Sequence, residues 1–164
     1  MTLIDTYARA LSLVTAIGAG LAAGVFFAFS TFVMSGLRRA PSASAVAAMN
    51  GINRSADRSP LFMLLLFGTV ITAVLAVILV IRRVGAGESF WQIVGAALYL
   101  VAIAVTIVYH VPHNNALAGL DPHSADAARA WTHYVTSWTA WNHVRTLTCL
   151  AAAVCFTVSL RTGS

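Results

Sequence analysis

The chain has no lysine, only five acidic residues and only two cysteines in 164 residues. Charged residues make up 9% of it, against about 25% in an average soluble domain. A soluble chain of this size could not cover its surface with so few charges. The scarcity excludes a disordered protein, a nucleic-acid binder and an ordinary cytosolic enzyme. All ten basic residues are arginines, which gives a net charge of +5 and a pI near 10.0. They flank apolar runs instead of forming one patch, so they read as membrane-flanking charges and not as a nucleic-acid footprint. Arginine without lysine in an alanine-rich chain also suggests a GC-rich bacterial genome. Cys149 and Cys155 share one apolar run, about 240° apart around a helix, so they cannot bridge within it. No disulfide framework is implied.

What the chain does have is apolar length. Hydrophobic residues make up 59% and the mean hydropathy is +0.82. A membrane helix needs about 20 mostly apolar residues. Four segments qualify, at about 11–34, 61–81, 90–111 and 138–160. The first is too long for a cleaved signal peptide and lacks a suitable cleavage site. The expected fold is all-α: an integral membrane four-helix bundle forming one domain over 1–164. Gly20 and Gly24 make a small-xxx-small pair, read as close packing within the bundle, with a homodimer seam as the alternative.

The first connection, Ser35 to Ser59, is long. Pro41 and Ser42 suit a helix start, and Val46, Met49, Asn53 and Ala56 share one side. The expectation is a short helix lying on the membrane surface or folding over the bundle mouth. The second connection, Arg82 to Ser89, is a short turn. The third runs from Pro112 to about Ser137, and Pro112 is expected to unwind the end of the third helix. Asp121, Pro122 and Ser124 are helix-start signals. A helix from Ser124 to Leu160 would be about 55 Å long against a core of roughly 30 Å, so its first third should protrude or bend. With both termini on one side, Arg38, Arg39, Arg54, Arg58 and Arg129 face Arg9, Arg82, Arg83 and Arg161 across the membrane. That small excess leans the long connections toward the cytoplasm.

Polar groups inside a bilayer are costly, so each is a functional lead. On the third helix Tyr99, Thr106, His110 and His113 fall within about 60° on a wheel of 100° per residue, and Asn114 and Asn115 follow. On the fourth, Trp131, Tyr134, Trp138, Trp141, Asn142, Arg145 and Cys149 fall within about 100°. Trp131 and Tyr134 also suit an interfacial belt. Arg145 could snorkel to the headgroups or face the interior and hold an oxyanion. All five histidines lie between 110 and 143. A metal reading would use His110, His113 and either His133 or His143, although the last two fall opposite the Trp/Asn/Arg stripe and no Cys, Asp or Glu is close in sequence. The third helix's end, the fourth helix's start and the first connection all reach one membrane face. A pocket there would be apolar in depth and polar at its rim.

At these residues the chain resembles the anthrone oxygenase-like small membrane proteins. The matching stretches are Ala23–Ser30 (AGVFFAFS), Val33–Arg39 (VMSGLRR), Met49–Arg54 (MNGINR), Val111–Leu117 (VPHNNAL) and Trp138–Leu147 (WTAWNHVRTL). Two stretches depart from the family pattern. A proline usually stands where this chain has Ser35, and the run that usually reads Asn-Val-Pro-Leu is His110-Val-Pro-His113 here, so both histidines depart from it. The resemblance implies oxidation of an anthrone-like aromatic to a quinone by molecular oxygen, with no organic cofactor; the composition and the spans together suggest a bacterial plasma membrane. The side chains' own chemistry, apart from the resemblance, suits His110 to be the base of such a reaction, and Asn142 and Arg145 to hold the enolate oxygen. In that reaction Trp138 and Trp141 stack on the rings, and Asn53, Asn114 and Asn115 orient phenolic hydroxyls. The partners are the lipid bilayer and a small apolar aromatic. The competing readings are a His-ligated copper, iron or haem protein, and a non-enzymatic membrane subunit. Arg145 should point into the bundle toward the Pro112–Asn115 turn, because no acid lies near it and its donors need acceptors.

Overall fold

The computed structural model describes residues 3–84 and 90–162. Four helices are long and apolar enough to cross a membrane: Leu3–Arg39, Pro60–Arg82, Phe90–Ala118 and Ala125–Arg161. No strand occurs among the described residues. The four spans pack in a ring, each against the next, with the first and fourth closing it. The expected turn between Arg82 and Ser89 falls largely outside the described residues.

Three of the four spans contain a π turn. In the first span α1 (Leu3–Ala28) runs into a π turn at Phe29–Val33 and then α2 (Met34–Arg39). In the second, α4 (Pro60–Met63) is followed by Leu64–Gly68 and α5 (Thr69–Val84). In the third, α6 (Phe90–Val105) is followed by Thr106–His110 and α7 (Val111–Ala118). The fourth span, α8 (Ala125–Thr162), is unbroken α-helix over 38 residues.

The helix starts follow local chemistry. Ser59 caps α4 through Phe62 N–H at 3.2 Å, with Pro60 in the first helical position. The Ser124 hydroxyl accepts from Ala127 N–H at 3.0 Å and begins α8. At the other end Arg9 donates to the Leu160 carbonyl at 3.1 Å, a cation at a helix C-terminus.

Three expectations need correction. The third helix does not unwind at Pro112. The wide turn just before it sets Pro112 in the first turn of α7, where its missing N–H costs nothing, and the helix runs on to Ala118. Gly20 and Gly24 do not pack inside the bundle. A Cβ at either would meet nothing within 4 Å, whereas one at Gly18 would lie 2.2 Å from Thr69 Oγ1. Gly18 is therefore the close-approach residue between the first two spans, and Thr15 ties them again through Thr72 Oγ1 at 2.9 Å. The polar start of the first span is also longer than expected, and it carries Asp5 into a buried position.

The first connection folds as α3 (Ser42–Asp57), and it lies over the bundle mouth. Ala45, Val46 and Met49 are fully buried, packed with Met34, Leu117, Trp131, Tyr134, Val135 and Trp138. The long start of α8 thus protrudes, as its length requires, and α3 covers it. α3 is thus the cap of the bundle.

Candidate functional site

A cavity of about 190 Å³ lies beneath the cap. Each span and the cap contribute to its wall: Phe26 and Phe29, Asn53 and Asp57, Leu66 and Phe67, Thr106, His110 and Asn114, and Trp138 and Arg145. All three π turns border it. A π turn holds one residue more than an α turn and is rare outside functional sites, so three at one cavity mark it out.

Arg145 is buried and points into the bundle. Its Nε and Nη2 donate to Asn142 Oδ1 at 3.1 and 2.6 Å, and its Nη1 donates to Thr106 Oγ1 at 3.3 Å. The guanidinium lies 4.2 Å from the Phe26 ring centroid and 5.3 Å from that of Trp138. No acid pairs with it among the described residues. An arginine has five N–H donors, so two are left without an acceptor among the described residues. The side chain turns to Thr106, below the expected Pro112–Asn115 turn.

Asn142 is fully buried and does not line the cavity. Its Nδ2 donates to the Phe26 carbonyl and to Ser30 Oγ, both at 2.7 Å. Phe26 can only accept there and Arg145 can only donate, so the amide has one possible orientation. Thr146 Oγ1 donates to the Asn142 carbonyl at 3.0 Å, so Ser30, 3.5 Å away, donates to Thr146. Asn142 therefore acts on the cavity through Arg145. Ser30 and Thr146, which the sequence reading missed, belong to the same clamp. Their spacing held no signal of it, because Ser30 lies 116 residues from Thr146.

His110 is also fully buried and lines the cavity. Its Nδ1 is 3.3 Å from the Val105 carbonyl. A carbonyl can only accept, so Nδ1 carries the proton and Nε2 carries the lone pair. Nε2 is buried without a hydrogen-bond partner among the described residues. The ring meets Trp138 edge-on, with centroids 4.8 Å apart.

Under the cap, Asn114 Oδ1 accepts from Tyr134 Oη at 2.7 Å and from Trp138 Nε1 at 3.0 Å. This holds the Trp138 ring in the wall. Asn53 Nδ2 is buried with no hydrogen-bond partner among the described residues. Asp57, one turn along the cap, is the only acid in the wall among the described residues, and the sequence reading passed over it.

Two residues expected at the site lie elsewhere. Trp141 is 43% exposed and packs against Tyr109 on the outer surface, with centroids 5.1 Å apart. Asn115 is exposed and outside the wall. The histidines do not converge. His113 bonds the Tyr109 carbonyl at 2.7 Å and stacks on that ring at 4.0 Å, while His133 and His143 are exposed. Among the described residues no three His, Cys, Asp or Glu side chains are grouped to hold a metal ion. His113 and His133 instead share a separate outer crevice with Leu117 and Tyr134.

No curated protein and no solved structure matches the chain. A sequence model of the anthrone oxygenase family matches residues 59–155, more than half of the chain and a range that spans the third and fourth helices' share of the cavity wall. On that match, the chain belongs to the anthrone oxygenase family.

Proposed function

We propose that the cavity binds an electron-rich, anthrone-like aromatic and converts its CH2 group to a carbonyl with molecular oxygen. Family membership supports an oxygenase-type activity. The observation that carries the finer reading is Arg145: a buried cation in the cavity wall, clamped by Asn142 and Thr106, with no acid partner and two N–H donors unused among the described residues. Such donors suit an oxygen on which negative charge develops.

In this reading His110 Nε2 removes one CH2 proton, and the ring oxygen becomes an enolate held by Arg145. The enolate gives one electron to O2, and the two radicals join to form a C–O bond. The carbon's second proton then leaves as the O–O bond breaks. One CH2 and one O2 become one C=O and one water, so atoms and electrons balance without a further reductant or an organic cofactor. Trp138, Phe26 and Phe29 offer faces for the rings, and Asn53 and Asn114 offer donors for phenolic oxygens. The bilayer, taken as a bacterial plasma membrane, concentrates both reactants.

Purified protein in lipid nanodiscs, given anthrone in air, should consume one O2 per quinone formed, well above the uncatalysed rate. Under argon the quinone should not form. Equal rates with and without protein in air would refute the reading.

A further inference from the structure

The packing ring is uneven around the cavity. The second and third spans pack through α5 and α6, and Tyr99 Oη donates to the Leu66 carbonyl at 3.2 Å, but beyond that bond their cap-side halves, Pro60–Gly68 and Thr106–Ala118, make little contact with one another. Each half instead packs on another neighbour: α4 and α7 on the cap, and Leu64–Gly68 on α1. A gap therefore runs between the two spans, roofed by the end of the cap. A π turn lies on either side of it.

The residues bordering this gap belong to the cavity and to the outer surface at once. Phe67 is 47% exposed, Ile107 54% and Val111 42%, and all three line the cavity. These three side chains are apolar, and two polar ones, Asn53 and Asp57, sit above them on the cap. Arg145 stands on the fourth span, across the cavity from Phe67.

We propose that the cavity loads sideways from the bilayer, through the gap between the second and third spans beneath the cap. The route admits a flat, neutral, lipid-soluble molecule and no charged one, because hydrocarbon and apolar side chains would strip a charge of its hydration. The oxygen-bearing edge leads toward Arg145, and a trailing hydroxyl stays level with Asn53 and Asp57. The identity of the molecule rests on the activity proposed above. The route itself rests on the packing.

The test places Phe67→Cys and Ile107→Cys in one chain, in nanodiscs, with a bifunctional thiol reagent that dithiothreitol removes. The probe is radiolabelled anthraquinone, which is not consumed. Cross-linking should slow its exchange at least tenfold, and reduction should restore it. Label loaded beforehand should stay bound through gel filtration until reduction. The doubly substituted chain before cross-linking sets the reference rate, so any effect of the substitutions themselves is already in it. Unchanged exchange in the cross-linked chain would overturn the route. So would a block produced only by linking Val25→Cys to Ser55→Cys, across the shallow crevice on the other side of the cap. Binding of anthraquinone without oxidation of anthrone would count against the activity alone. No binding by the uncross-linked chain would count against both.

Discussion

Replacing Arg145 by Met should abolish oxidation while leaving the protein about as stable as before. The guanidinium makes three hydrogen bonds and lies near two aromatic rings. Those contacts offset the cost of holding a charge inside a span, which insertion scales put at about 2.5–3.5 kcal/mol. Met removes the contacts and that cost together. What remains is Asn142 Oδ1 without its donors, worth about 1–3 kcal/mol. The two changes nearly cancel, so the net shift should stay within about 2 kcal/mol. Loss of oxyanion donors typically lowers kcat by about 10²–10³. Arg145→Lys keeps the charge but not the planar fork. It cannot serve Asn142 and Thr106 and still present two donors, so its kcat should fall by a similar factor. Thermal unfolding in detergent followed by circular dichroism reads the first quantity, and quinone formation in nanodiscs reads the second. Either variant retaining more than about a third of the wild-type kcat would remove Arg145 from the chemistry. A folding loss in Arg145→Met well above about 4 kcal/mol would make it a structural keystone instead.

Three further outcomes follow from the same geometry. His110→Gln should lower kcat by about 10²–10⁴, the usual worth of a general base, with anthraquinone binding retained; titrating that binding and the rate in parallel checks it. Trp138→Leu should lower kcat/KM at least about tenfold, because the ring forms cavity wall and anchors on Asn114, whereas Trp141→Leu should stay within about twofold; steady-state kinetics on both variants decide it. Gly18→Ala should cost about 1–3 kcal/mol, since its Cβ must push Thr69 away, and Gly24→Ala should be neutral or slightly stabilising; their melting temperatures should separate accordingly.

Composition made the membrane class legible, because so few charges leave no soluble alternative. The spans were legible from apolar length, and the cap from Pro41, Ser42 and the spacing of Val46 and Met49. The clamp behind Arg145 was not. The partners of Asn142 lie on the first span, at Phe26 and Ser30, and nothing local in either sequence names the other. A buried arginine without an acid demanded acceptors, so an amide carbonyl was a reasonable expectation. Which amide, and what turned it, depended on how the first and fourth spans cross.

The π turns account for most of the remaining error. A helical wheel assumes 100° per residue throughout. The fourth span has no wide turn, and there the wheel held: Trp131, Tyr134, Trp138, Asn142, Arg145 and Cys149 are all buried, and only Trp141, at the edge of the arc, faces out. On the third span a regular wheel runs straight through Thr106–His110, where the helix does not. The extra residue in that turn sets everything beyond it back by about 100°. Tyr99 and His110 stay inside, but His113 leaves their face and stacks on Tyr109, while Asn114 takes its place in the wall. No propensity marks such a turn, since Thr, Ile, Val, Tyr and His are ordinary residues for an apolar helix. The wide turn spares Pro112 a clash inside an α-helix and brings Thr106, His110 and Asn114 to one cavity. The same departure from regular helix that hid the site from the sequence is what assembles it.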